Sequence, residues 1–528
     1  MKNRILIPIY LAFAVCLGIV IGVIFDFPQK GIRTAGNIDR EQKLRQIIQF
    51  IDYEYVDSVD TDSLLDETIG SLLEKLDPHS TYIPRSEVLA TEESIRGSFM
   101  GIGIEFKIYQ DTLTVVRVME NGPSEKAGLK PGQRILFADS FKLFGPSANA
   151  RKVVSVLKGE EGTEVDLKIF DPLREQVLEK TVRRGEVPVR SVASAFMLND
   201  TVGMMKLVKF TKRSAREVDQ NLEKLNRAGA QYLILDLRDN PGGLLTAAEE
   251  IADEFLKNDQ LILYTKDRQN DRRSTFATRR GEYEEGKMAV LINGGSASAS
   301  EIVAGALQDN DRALLVGRRS FGKGLVQEEI TLSDGSRMRL TTQRYYTPTG
   351  RSIQKDYREY NRDFGGAHGM LPPRDLDSIK ETFKTPAGRT VYGGGGIRPD
   401  LWVRFDSSNY NQLLYHLAMT VNLDDKAFSF VDANRPSLEA MSFEQFKSDF
   451  TVDSLVLNHF FGAFEIERIS SRFRDELPLV KNRLKAFIAY NLFGNDAYQR
   501  IYSARDPFVQ RALEGLRNEL PREPERID

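Results

Sequence analysis

The sequence is poor in the side chains from which many hydrolytic and redox sites are built. Its 528 residues include one cysteine, four histidines and one tryptophan. Cys16 lies inside an apolar run, so the rest of the chain has no disulfide and no thiol chemistry. His79, His368, His416 and His459 are scattered and form no cluster with metal-ligand spacing. That argues against metal-dependent hydrolysis, and no cofactor or metal is expected. Charge of one sign is also lacking. With 73 Lys+Arg against 76 Asp+Glu, the net charge of −3 provides no basic field for nucleic acid. No internal repeat or phosphate-cradling glycine motif stands out. At 41% hydrophobic content, a chain this long fills several cores, and two to four domains are expected.

Only one hydrophobic run is long. Lys2 and Arg4 precede an uncharged apolar stretch at residues 5–25. At about 1.5 Å per residue such a stretch spans roughly one bilayer core. The basic flank predicts residues 1–28 as a membrane anchor, with the catalytic part in the periplasm or outside the cell. A cleaved signal peptide is the rival reading, although no small-x-small cleavage site follows. A lipoprotein site at Cys16 is disfavoured by the bulk of Val15.

Downstream, the hydrophobic period divides the chain. Residues 29–95 read as helical, with Thr61 and Asp62 as capping residues and a stop at Asp77-Pro78. Residues 96–185 read as strands and turns: "GIGIEFKI", "TLTVVRVM", a Gly-Pro and a Pro-Gly turn, and a short helix at residues 153–158. In residues 186–405 apolar strands alternate with helices, the mark of an α/β sheet with helices packed on it. "QYLILDLRDNPGGLL" and "KMAVLINGGSASASEIV" both run strand, small-residue turn, helix. Residues 406–528 read as amphipathic helices without a chemical constellation, open to packing, assembly or partner binding.

The turn between Asn293 and the following helix carries Ser296, Ser298 and Ser300 on alternate positions, with no histidine beside them. A serine hydroxyl needs a base. Lys323, between Gly322 and Gly324, is the candidate. It would have to fall from a pKa near 10.4 by roughly two to three units, which burial achieves. Gln327 stands four residues on, within reach of the amine. The backbone N–H of Ala299 and one from the Gly242-Gly243 turn are candidate oxyanion donors. Taken singly, the serine run also reads as a close-packed helix start, and Gly-Lys-Gly as a surface turn or phosphate contact. A distant histidine also remains open as base.

Two resemblances sharpen this. The Gly101-Ile102-Gly103-Ile104 loop, Ser124 with Ala127-Gly128-Leu129, and the helix before "GEEGTEV" resemble a PDZ domain. Residues 137–141 depart from it where such domains have a polar Asp-Gly turn. Then "NGGSASASEIVAGALQDN", "GRRSFGKGLVQ", "DLRDNPGGLL", "RLTTQRYYTPTGRSIQ", "GGGIRPD" and "LDPHSTYIP" together resemble the C-terminal processing peptidases. That resemblance covers roughly residues 40–400. It implies a crotonase-like α/β protease core with an inserted PDZ domain. It also implies Ser298 as nucleophile, Lys323 as general base, Gln327 as its orienting partner, and Ala299 with Gly242 and Gly243 as the oxyanion segment. Ser296 and Ser300 are then structural. The implied substrates are proteins with apolar C-termini, held at Gly101, Ile102, Gly103 and Ile104. An inactive peptide-binding adaptor is the alternative, and acyl-CoA chemistry on a crotonase-like core a third reading. A homo-oligomer or a partner adaptor stays open.

Overall fold

The computed structural model describes residues 38–146, 149–278, 281–357, 381–404, 422–461 and 477–518, with residue 521. The apolar run at residues 5–25 lies outside the described residues. Among those described, no helix is long and apolar enough to cross a membrane. The chain divides into two units, Met1–Lys75 and Leu76–Asp528. The first contributes two helices, Ile38–Glu54 and Thr61–Glu74. The second of these is capped by Asp60, one residue before the expected Thr61-Asp62. The Asp60 carboxylate accepts from Ser63 N–H and Oγ, and Thr61 is already helical.

The larger unit holds a β-rich part at residues 98–188. Strands Ile104–Tyr109, Thr112–Val118, Arg134–Ala138, Glu164–Asp171 and Gln176–Arg183 pair antiparallel in that order. Along Glu164–Asp171 every second side chain is buried, because one face packs on Leu113, Val115, Ile135 and Val153. The "GIGIEFKI" stretch, expected as one strand, is broken at Ile102-Gly103. Ser98–Gly101 pairs away with Gly185–Pro188, and Gly103 at φ +74° turns the chain into Ile104–Tyr109. The departure at residues 137–141 is a hairpin turn in which Asp139 takes φ +50°. The short helix runs Ala150–Leu157, three residues earlier than expected at its start, because Asn149 caps it.

The α/β part is built on a six-stranded sheet in the order Val192–Met197, Val202–Leu207, Tyr232–Asp236, Lys287–Ile292, Leu314–Gly317, Leu401–Trp402. All neighbours are parallel except the first pair. The strands are apolar on both faces because both are covered. Helices Ser214–Arg227, Leu245–Asp253 and Ala299–Asp309 pack one side. The helix Pro507–Leu516 packs the other through Val509, Ala512 and Leu516. The last helix of the C-terminal region is therefore a layer of this sheet. Its entry is tied down by Arg238, which pairs with both Asp236 and Asp506 at 2.7 Å.

A second, antiparallel sheet joins Thr81–Ile83, Leu325–Thr331, Arg337–Tyr346, Leu261–Lys266 and Arg272–Phe276. It carries the segment after Asp77 to the loop that holds Lys323. The remaining C-terminal helices, including Leu423–Ala433 and Leu477–Phe493, have their own core around Phe446, Phe460 and Leu484. They rest on the outer face of the β-rich part. Lys107 meets Asp424 and Asp425 at 2.6 Å, Arg134 grips Asp432 through two hydrogen bonds, and Tyr490 donates to Glu105 at 2.6 Å.

Candidate active site

Strand Lys287–Ile292 ends at Asn293, and the chain turns sharply into helix Ala299–Asp309. Small side chains are needed here because the turn lies against residues 237–243. Ser296 Oγ donates to Leu237 O at 2.8 Å, and Ser300 Oγ to Asn240 O at 2.9 Å. Both serines are fully buried and held by the backbone, as expected for structural serines. Ser298, between them, has φ +54° and ψ −112°, a conformation that costs a non-glycine residue about 1–3 kcal/mol. Of the three serines, Ser298 alone is left partly exposed.

The strain is held by Glu301, a fully buried carboxylate. Its Oε2 accepts the N–H of Ser298 at 2.9 Å and of Lys323 at 2.8 Å. Its Oε1 accepts the N–H of Gly322 at 2.7 Å and the hydroxyl of Ser320 at 2.5 Å. One side chain thus joins the serine turn to the lysine loop. The local signal was present in the sequence: Ser298-x-x-Glu301 is the spacing of a capping box.

The Lys323 amine is partly buried, and its Nζ donates to Gln327 Oε1 at 2.7 Å. Burial first, and then the charge of Arg339, lower its pKa, against the opposing pull of Asp77 and Glu301. Gln327 is the third residue of strand Leu325–Thr331, so this bond runs from the loop into the strand. The other end of the Gln327 amide, Nε2, donates to the carbonyl of His79. The His79 ring also lies by the amine. Burial and the Lys323 charge push it down to about 4, so it is neutral at physiological pH. Ser298 Oγ and Lys323 Nζ are not hydrogen-bonded to each other in this arrangement.

The Gly242-Gly243 turn lies directly over the serine. A Cβ at Gly242 would stand 2.7 Å from Ala297 O and 2.9 Å from Ala299 N, and one at Gly243 2.0 Å from Phe210 O. Both positions also have positive φ, +96° and +150°. Of the two N–H groups in this turn, that of Gly242 donates to Asn240 Oδ1 at 2.9 Å, which leaves the Gly243 N–H as the candidate donor. Asn240, which was not anticipated, builds both walls: its carbonyl also accepts the N–H of Ala297 at 3.0 Å.

On the β-rich part, a cleft runs between strand Ile104–Tyr109 and helix Ala150–Leu157. Gly101, Ile102, Gly103 and Ile104 line it with Phe99, Phe106, Val154, Leu157 and Lys158. The strand is an edge of its sheet, open to pairing. Ile102, expected to offer an apolar surface, is only 2% exposed and belongs to the core of this part. Ile104 and Val154 present more of the lining. Of the other histidines, His459 bonds Ser429 far along the chain, and His368 and His416 lie outside the described residues.

Residues 201–361 match the family model described as peptidase family S41, and residues 413–494 match a family of unknown function. The chain is 35% identical to a carboxy-terminal-processing protease of Bartonella bacilliformis, across 58% of this chain and 71% of that one. It is 33% identical to the carboxy-terminal processing protease CtpB of Bacillus subtilis, across 59% of this chain and 65% of that one. Among solved structures, it is similar to the photosystem II D1 C-terminal processing protease at 26% identity and a TM-score of 0.36, covering 69% of this chain and 87% of that one. It is also similar to the PDZ domain of a carboxy-terminal protease from Vibrio cholerae in complex with peptide, at 21% identity and a TM-score of 0.16, covering 17% and 97%. On the extent and identity of the first match, the chain belongs to the carboxy-terminal processing proteases of peptidase family S41, which are serine-type peptidases.

Proposed function

We propose that the peptidase works by a Ser298–Lys323 dyad on a crotonase-like core. The neutral Lys323 amine takes the proton of Ser298 Oγ as that oxygen attacks the scissile carbonyl carbon. The oxyanion forms against the N–H groups of Ala299 and Gly243. The lysine ammonium then protonates the leaving amine, and water repeats the sequence on the acyl-enzyme. The observation that carries this reading is Glu301, which fixes the serine turn and the lysine loop to one carboxylate. Hydrogen bonds between catalytic groups are often long without substrate and tighten when it binds, which suits the open Ser298–Lys323 pair.

Substrates are proteins with apolar C-termini. The β-rich part acts as a PDZ domain: the tail adds a strand beside Ile104–Tyr109, and its carboxylate meets the N–H groups at Ile102-Gly103. Residues 5–25 anchor the chain, and cleavage takes place on the far side of the membrane. The test uses the full-length chain with its Ser298→Ala and Lys323→Ala variants and an unfolded protein ending in apolar residues, with fragments identified by mass spectrometry. Cleavage by the parent alone is expected. Cleavage surviving either substitution overturns the dyad.

A further inference from the structure

The segment after the first unit is more than a helix stop. Asp77 folds a tight turn on itself. Its Oδ1 accepts the N–H of His79 and of Ser80, both at 2.8 Å, and its Oδ2 accepts the Ser80 hydroxyl at 2.7 Å. The turn is pinned to the second sheet, because Ser80 Oγ accepts the N–H of Thr341 at 3.1 Å and Thr81–Ile83 pairs with strand Arg337–Tyr346. Asp77 and Ser80 are both buried, at 9% and 2% exposure.

What this turn delivers is one carbonyl. His79 O accepts from Gln327 Nε2. A carbonyl only accepts, so the nitrogen end of the Gln327 amide must face it and Oε1 must face Lys323. That orientation matters for a base. With Oε1 toward it, the amine spends an N–H on Gln327 and keeps its lone pair. A reversed amide would direct N–H groups at that lone pair and occupy it before Ser298 could.

We propose that Asp77 is a positioning residue for Lys323: its turn fixes the His79 carbonyl, which fixes the Gln327 amide, which leaves the amine's lone pair to the serine proton. The inference rests on the reading of Lys323 as the base. Asp77 also acts through its charge. Burial alone would raise its carboxyl, but the Ser80 hydroxyl and the two N–H groups outweigh that and hold it below the usual range. It therefore faces Lys323 as an anion. Glu301 adds to its pull, Arg339 opposes it, and the His79 ring is neutral. Tyr357 also stands near Asp77 and Arg344.

The two roles separate in two variants of the full-length chain, assayed for kcat and KM on an apolar-tailed peptide from pH 5 to 10. Asp77→Asn keeps an oxygen for the two N–H groups but removes the charge. Lys323 then loses its proton more easily, so the acid limb of the kcat profile moves to lower pH while the plateau stays within about tenfold. Asp77→Ala removes the turn, and plateau kcat falls by about 10- to 100-fold with KM little changed. Thermal unfolding checks that each variant is folded. If Asp77→Ala does not fold, Ser80→Ala, which loosens the same turn, replaces it with the same expected fall in plateau kcat. An unmoved limb in Asp77→Asn overturns the charge role, and a folded Asp77→Ala or Ser80→Ala with the parent's plateau kcat overturns the positioning role. Lys323→Ala is run alongside. If it still cleaves, the base assignment fails. If it is dead while both Asp77 variants match the parent, only this inference fails.

Discussion

Glu301 Oε2 accepts the backbone N–H of Ser298 at 2.9 Å, closing a reciprocal turn at the head of a fully buried helix. Every partner of Glu301 donates to it: three N–H groups and one hydroxyl. Burial raises its pKa, and the hydrogen bonds from the Ser320 hydroxyl and the three N–H groups work against that by stabilising the anion. Glu301→Ala leaves those donors buried without an acceptor, at about 1–3 kcal/mol each before relaxation. The expected result is a loss of several kcal/mol in urea unfolding, together with loss of cleavage. A stable, fully active Glu301→Ala enzyme would remove Glu301 from the account of both serine and lysine.

The bond from Lys323 Nζ to Gln327 Oε1 gives a prediction with a definite sign. Gln327→Glu puts a carboxylate where a neutral oxygen now accepts. An anion beside the amine favours the ammonium, and the Lys323 pKa, now lowered by burial and Arg339, rises. The amine acts only when neutral. The acid limb of the pH–rate profile therefore moves to higher pH, activity falls near neutrality and recovers in part in alkali. Rate measurements from pH 6 to 10 read this directly, and a limb moving the other way would contradict Lys323 as base.

Much of this site was legible because its pieces are short and local. The strand–turn–helix units around Gly242 and Ser298, and the Gly-Lys-Gly loop, carry their geometry in small residues. What was not legible depends on pairings far apart in sequence. The turn at Asp77 reads as a helix stop, but its contact with Gln327 spans 248 positions and depends on Thr81–Ile83 joining strand Arg337–Tyr346. Helix Pro507–Leu516 shows an apolar face, but nothing local says that it covers the sheet behind Ile234 and Leu291. Which N–H of the Gly242-Gly243 turn stays unengaged was likewise not legible, because the Asn240 side chain two residues earlier folds back and takes the one of Gly242.

Gly242→Ala tests the close approach over the serine. The added methyl group would stand 2.7 Å from Ala297 O and 2.9 Å from Ala299 N, and φ +96° is strained for alanine. The Ala297 carbonyl and the Ala299 N–H are the groups most directly displaced. Losing one oxyanion donor costs about 10²- to 10³-fold in kcat. A drop of that size is expected, with binding of an apolar-tailed peptide to the β-rich part unaffected in titration calorimetry. Loss of peptide binding in the same variant would show the damage spreading beyond the turn.

The cleft on the β-rich part calls for a different choice of residue than the sequence suggested. Ile102→Asp buries a charge in a core where Ile102 is only 2% exposed, so it is expected to unfold that part and to report on nothing else. Val154 lines the same cleft from helix Ala150–Leu157 and is 39% exposed, so a charge there stays hydrated. Val154→Glu sets a carboxylate beside the apolar tail and near its terminal carboxylate, and both contacts become unfavourable. KM for an apolar-tailed protein is expected to rise by about tenfold or more, the equivalent of roughly 1.4 kcal/mol. Cleavage of an extended internal peptide with a blocked end should change little, because it does not need the cleft. Equal effects on both substrates would mean that the tail is recognised elsewhere.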